Sequence, residues 1–156
     1  MIFIFFISMI FFHWFFSYSV YLPVGPDIIF IYVFWVNYFF SPISSLTFSF
    51  FAGICADFYY NLPFGTHCLV FVLLSFVINS IRKNVDIESL IPRLINFVIS
   101  NYSVQISLTL INLIINQNTD YDRGFFIQPL INILFFEIFN ILFLKFFKKR
   151  RNYVRI

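Results

Sequence analysis

Seven acids, two histidines and two cysteines are the side chains of this 156-residue sequence with chemistry to offer, and their spacing assembles none of the usual reaction centres. His13 and His67 are isolated, with no carboxylate or second histidine at ligand spacing, and Cys55 and Cys68 form neither a Cys-x-x-Cys pair nor a zinc-type set. No Ser/His/Asp arrangement or glycine-rich phosphate loop occurs. The thiols lie in apolar segments and read as small packing residues. The expectation is therefore a non-enzymatic protein with no cofactor and no metal. Two acids nevertheless stand where an acid is costly. Asp57 ends the run Gly53-Ile54-Cys55-Ala56-Asp57, one turn beyond the glycine. That spacing fits either a hydrogen-bond acceptor beside a closely approaching backbone or a solvated aspartate at a membrane edge. Glu137 lies inside an apolar segment, where an ionisable group costs about 2.5–3.5 kcal/mol on insertion scales, so it is expected to face the bundle, a partner or water, or else to be protonated. Asn140 shares its face at i+3, which favours a polar contact to another helix over a proton relay.

The elements that position these residues follow from composition. Hydrophobic residues make up 61% of the chain and charged residues 11%, and the mean hydropathy is +0.90. A water-soluble fold of this size cannot hide so much apolar surface, so lipid is the expected solvent. A helix crossing about 30 Å of hydrocarbon needs about 20 residues and must satisfy its own backbone. Six such segments can be marked, at about 1–22, 28–40, 42–60, 66–81, 90–115 and 125–147, followed by a basic tail at 148–156. The first begins apolar and lacks a basic leader and a cleavage site, so it is expected to remain as a membrane helix. Pro23, Gly25 and Pro26 end it, and Asp27 is placed to cap the next. That second segment is short, so it is either strongly tilted or only partly spanning, with Trp35 and Tyr38 as possible interface anchors. Asn61-Leu62-Pro63-Phe64-Gly65 reads as a tight turn between the third and fourth. The whole chain reads as a single transmembrane domain.

The formal charge of +3 does not indicate a nucleic-acid partner, because the basic residues gather at segment ends. Arg82, Lys83 and Arg93 flank one connection and Lys145, Lys148, Lys149, Arg150, Arg151 and Arg155 crowd the C-terminus, leaving only Arg123 elsewhere. With six spans and both termini cytoplasmic, all but Arg123 obey the positive-inside rule. Packing signals are also present. Ser45, Ser49, Ala52 and Ala56 form one smooth stripe, beside Gly53, of the kind that lets membrane helices approach. The fifth segment carries Asn96, Ser100, Ser103 and Ser107 on one side and Asn101, Gln105, Thr109 and Asn112 on the other, and is expected to be the helix least exposed to lipid.

In order, the N-terminal span, Pro26-Asp27 before a short aromatic helix, Gly53 through Asp57 at the end of the third segment and Phe64-Gly65 opening the fourth resemble the rod shape-determining MreD family. The specific residues lie between Pro26 and Gly65; the second half resembles the family in hydropathy and basic tail. The resemblance implies a multi-pass bacterial inner-membrane protein without enzymatic activity. It implies direct binding to MreC and, with RodA, its partner transpeptidase and MreB filaments, support of lateral peptidoglycan synthesis. The implied fold is an all-α bundle of about six transmembrane helices, similar to the substrate-binding subunits of vitamin importers. The alternative it leaves open is a small-molecule-binding importer subunit. Pro26, Asp27, Gly53, Asp57, Gly65 and Glu137 are the candidate structural and partner-contact residues, and the Ser45, Ser49, Ala52 and Ala56 stripe the candidate helix-packing face.

Overall fold

The computed structural model describes residues 2–19, 25–60, 62–82, 90–116 and 124–151. Among these there are six helices and no strand: α1 (Ile2–Ser19), α2 (Ile28–Phe39), α3 (Pro42–Tyr60), α4 (Thr66–Ile81), α5 (Leu90–Asn116) and α6 (Gly124–Arg151). Turn chemistry sets the boundaries of the middle helices. Pro42 opens α3 at a position where a missing N–H is harmless, and Gly65, at φ +99°, makes the left-handed step into α4. The ends of α3 and α4 coincide with the expected segments. α6 does not stop at 147 but continues to Arg151, because lysine and arginine are good helix formers and polarity alone does not end a helix. The connections at 83–89 and 117–123, with Lys83, Asp86 and Arg123, and the tail beyond Arg151 lie outside the described residues.

The helices are organised around α2. It contacts each of the other five, while α1, α3, α4, α5 and α6 neighbour one another in that order around it. Between α6 and α1 the ring is bridged by Phe16 on Phe135 and Phe12 on Phe139, with centroids 5.3 and 6.4 Å apart. Every residue of α2 from Ile28 to Tyr38 is buried. Its aromatic side chains continue into α5 and α6. Phe97 lies 4.9 Å from Phe34 and 4.6 Å from Phe136, and Trp35 stacks on Phe136 at 5.3 Å. Such ring pairs add packing energy beyond their area, which matters where lipid removes most of the drive for apolar faces to meet.

One expectation about α2 is corrected here: the helix is the axis of the bundle, so Trp35 and Tyr38 are core residues rather than interface anchors. Twelve residues rise about 18 Å, less than the bilayer core, and the surrounding protein covers the helix all round. α5 corrects the opposite expectation. It is the one helix among the described residues long and apolar enough to cross a membrane, at Leu90–Ile115, and only 17% of its most apolar window is buried. Its Ser100 and Asn101 face inward, but Ile95, Ile99, Ile106 and Leu110 are exposed. The apolar stretches Phe3–Ser17, Ile28–Phe39, Thr66–Ile81 and Ile127–Ile141 are shorter. Large hydrophobic side chains cover the outside of all five ring helices, among them Phe11, Phe51, Leu73, Ile99 and Leu134.

Candidate functional site

The α3–α4 hairpin carries the most concentrated set of polar contacts around a named acid. Gly53 permits the approach on which it depends: a Cβ added there would stand 2.4 Å from Cα of Cys68 and 2.6 Å from its amide nitrogen, distances no side chain tolerates. With α4 held that close, Asp57, 2% exposed, meets the first turn of α4. Its Oδ2 accepts the Gly65 N–H at 2.7 Å and its Oδ1 accepts the His67 N–H at 2.8 Å. The carboxylate thus satisfies orphan donors at a helix N-terminus, where the macrodipole also favours negative charge. The same Oδ1 lies 2.9 Å from His67 Nδ1. His67 is therefore not isolated, as its sequence surroundings suggest, but paired with Asp57 across the turn, stacked on Tyr60 at 5.2 Å and edge-on to Phe71. Of the two readings of Asp57, a bound acceptor and a solvated edge residue, the buried geometry belongs to the first.

Asp27 organises the N-terminus of α2, at the same end of the bundle as the α3–α4 turn. Its side chain accepts the Phe30 N–H at 3.0 Å, capping α2. Its own N–H donates to Asn132 Oδ1 on α6 at 2.7 Å, Asn132 donates to Asn101 Oδ1 at 3.1 Å, and Asn101 donates to the Pro129 carbonyl at 3.0 Å. This chain of amides fastens α2, α5 and α6. Pro26, beside Asp27, is buried, and Asp27 lies within electrostatic reach of His67 and His13. At the C-terminus of α2, Arg82 Nη1 donates to the carbonyls of Phe40 at 2.6 Å and Asn37 at 3.1 Å. The buried short helix consequently carries an acid at its N-terminus and a guanidinium at its C-terminus, each matching the dipole it meets.

Beside the Arg82 end lies a buried polar network. Asn37 bonds to Ser49, Ser75 and Asn79, and Asn79 donates to Ser45 at 2.9 Å. Ser45, Ser49, Ala52 and Ala56 are fully buried, with the two serines inside this network. The stripe thus combines close approach with interhelical hydrogen bonds. Asn37, Asn79, Asn132 and His67 escape a reading of the sequence because each acts across a hairpin or between distant segments. His67 alone left a signal: it and Asp57 flank Leu62 symmetrically, so a tight turn there sets them level.

Glu137 is placed apart from all of this. It is exposed on α6, which removes the bundle interior from its three possible surroundings. Asn140 Nδ2 lies 3.5 Å from its Oε2, and buried Arg93 of α5 is within its electrostatic reach. Among the described residues no three His, Cys, Asp or Glu side chains gather as a metal would require. A groove of about 380 Å³ between α1 and α3 is lined mainly by apolar side chains, Met9, Ile10, Trp14, Ile29, Cys55 and Phe58, together with His13, Ser17 and Tyr59.

A family model described as rod shape-determining protein MreD matches residues 1–150 of the chain. No curated protein and no solved structure gives a match.

Proposed function

Because the chain belongs to the MreD family of rod shape-determining membrane proteins, we propose that it is a non-enzymatic, multi-pass inner-membrane subunit of the bacterial cell-elongation complex. In this reading it binds MreC directly and supports lateral peptidoglycan synthesis by RodA and its partner transpeptidase, in a wider assembly with MreB. The family match over residues 1–150 carries the proposal. The architecture supports it: the buried polar residues tie helices to one another, and the exterior is apolar on every ring helix. A scaffold needs such rigidity, whereas a vitamin-binding subunit needs several polar groups converging on a cavity, and the α1–α3 groove is lined mainly by apolar side chains, with Tyr59 and Ser17 bonded to each other.

The proposed topology has six membrane-embedded helices in a compact bundle resembling the vitamin-importer subunits, with both termini cytoplasmic. Arg82, Lys83, Arg93 and the basic tail then lie on the cytoplasmic side, in keeping with the positive-inside rule. The α3–α4 elbow built on Gly53, Asp57 and Gly65, and the α2 N-terminus built on Pro26 and Asp27, are proposed to hold the partner-contacting surface in shape. Co-purification tests the proposal. Detergent-solubilised chain is expected to retain MreC through size exclusion; a folded chain and a folded MreC that elute separately contradict it.

A further inference from the structure

Of the acids among the described residues, Asp27 and Asp57 are buried and hydrogen-bonded, while Glu137 is exposed. It lies in a stripe of α6 that is otherwise apolar, formed by the exposed Ile127, Leu130, Leu134, Ile138 and Ile141. Those positions recur at helical spacing on one face, and Glu137 falls on the same face. A carboxyl group keeps acceptor capacity in either protonation state, and the hydrogen bond Glu137 receives among the described residues is a long one, 3.5 Å from Asn140. Arg93 does not close the remaining sites. It is buried, with its guanidinium 5.7 Å from the Trp35 ring centre, and it meets Glu137 through electrostatic attraction without an ion-pair contact.

We propose that this α6 stripe receives a transmembrane helix of a partner protein that is apolar except for a hydrogen-bond donor, a basic or amide side chain, level with Glu137. Charge complementarity selects this occupant. A lipid acyl chain has no donor to fill the carboxylate's acceptor sites, which hydrocarbon leaves unsatisfied. A second copy docked two-fold through the same stripe sets Glu137 against Glu137 and brings no basic or amide donor to that level. A donor-bearing helix fills the acceptor sites and covers the flanking leucines and isoleucines at once. The inference rests on the membrane-embedded reading above and names the face and chemistry of the contact.

The test uses the full chain reconstituted into phosphatidylethanolamine and phosphatidylglycerol vesicles, with labelled polyleucine transmembrane peptides carrying one Arg at scanned depths, or none. Flotation comes first: a chain that fails to float with the vesicles overturns the membrane reading itself. For a floating chain, energy transfer is expected to show the best-placed Arg peptide binding about five- to thirtyfold more tightly than the all-Leu peptide. That advantage disappears in Glu137→Leu, and Glu137→Gln retains part of it. Equal binding of Arg and Leu peptides at every depth, or an advantage that survives Glu137→Leu, overturns the proposal. Energy transfer between labelled copies of the chain, lost in Glu137→Leu, assigns the stripe to self-association and overturns it as well.

Discussion

α2 and α5 exchange the places their sequences suggest. α2 is a 12-residue helix buried from Ile28 to Tyr38, whereas α5 is a 27-residue helix with polar residues on two sides and only 17% of its most apolar window buried. In water, the most apolar helix goes inside because water expels it. In lipid that force is absent, and position is decided by length and by where polar groups find partners. A helix of about 18 Å is covered most completely when protein surrounds it, and Asp27, Arg82 and Asn37 give α2 the contacts that hold it there. α5 is long enough to stand against lipid, and it turns Ser100 and Asn101 inward while leaving its isoleucines outside.

The sharpest way to break this comparison is to truncate matched apolar side chains on the two helices. Phe34→Ala, which removes a fully buried ring packed on Phe97, Tyr38 and Phe136, is expected to destabilise the protein by about 3–5 kcal/mol in detergent unfolding. Ile99→Ala on the exposed face of α5 is expected to stay within about 0.5 kcal/mol; comparable losses would mean that the two helices are equally buried.

Asp57→Ala comes next. It strips Gly65 and His67 of a buried acceptor and leaves the imidazole unpaired, for an expected loss of about 3 kcal/mol. In cells, it is expected to disturb rod shape and MreC binding more than Asp86→Ala; equal effects would remove the case for Asp57. Gly53→Ala follows at about 1–3 kcal/mol, because its Cβ meets backbone that cannot rotate aside. A thermal shift within error of wild type would mean that α3 and α4 stand farther apart. Smallest is the ligand test: a vitamin panel is expected to leave the melting temperature unchanged, whereas binding at one hundred times Kd would add about 2.7 kcal/mol.

Punctuation was the legible part of this chain. Pro42, and Pro63 with Gly65, delimit α3 and α4 where the sequence says they should, and Asp27 caps α2 from the position its neighbours imply. The order of burial was not legible. α2 is apolar throughout, so no periodicity distinguishes a lipid-facing side from a protein-facing one. On α5 the polar residues mark two sides, but Asn101 has a buried partner, in Asn132, while Ser103 is exposed. Which polar residue finds a partner depends on helices distant in sequence, and this is also why the Asn37 network is invisible before folding, whereas the Asp57–His67 pair shows only in the symmetry of its positions about the turn.

Photoactivatable lipid labelling of the chain in native-like vesicles tests the arrangement most directly, because membrane embedding and the central place of α2 are read in one experiment. The bundle predicts strong adducts on Ile95, Ile99, Ile106 and Leu110 of α5 and none on residues 28–38 of α2. Adducts on α2 at the level of α5, or none on either helix, would contradict it.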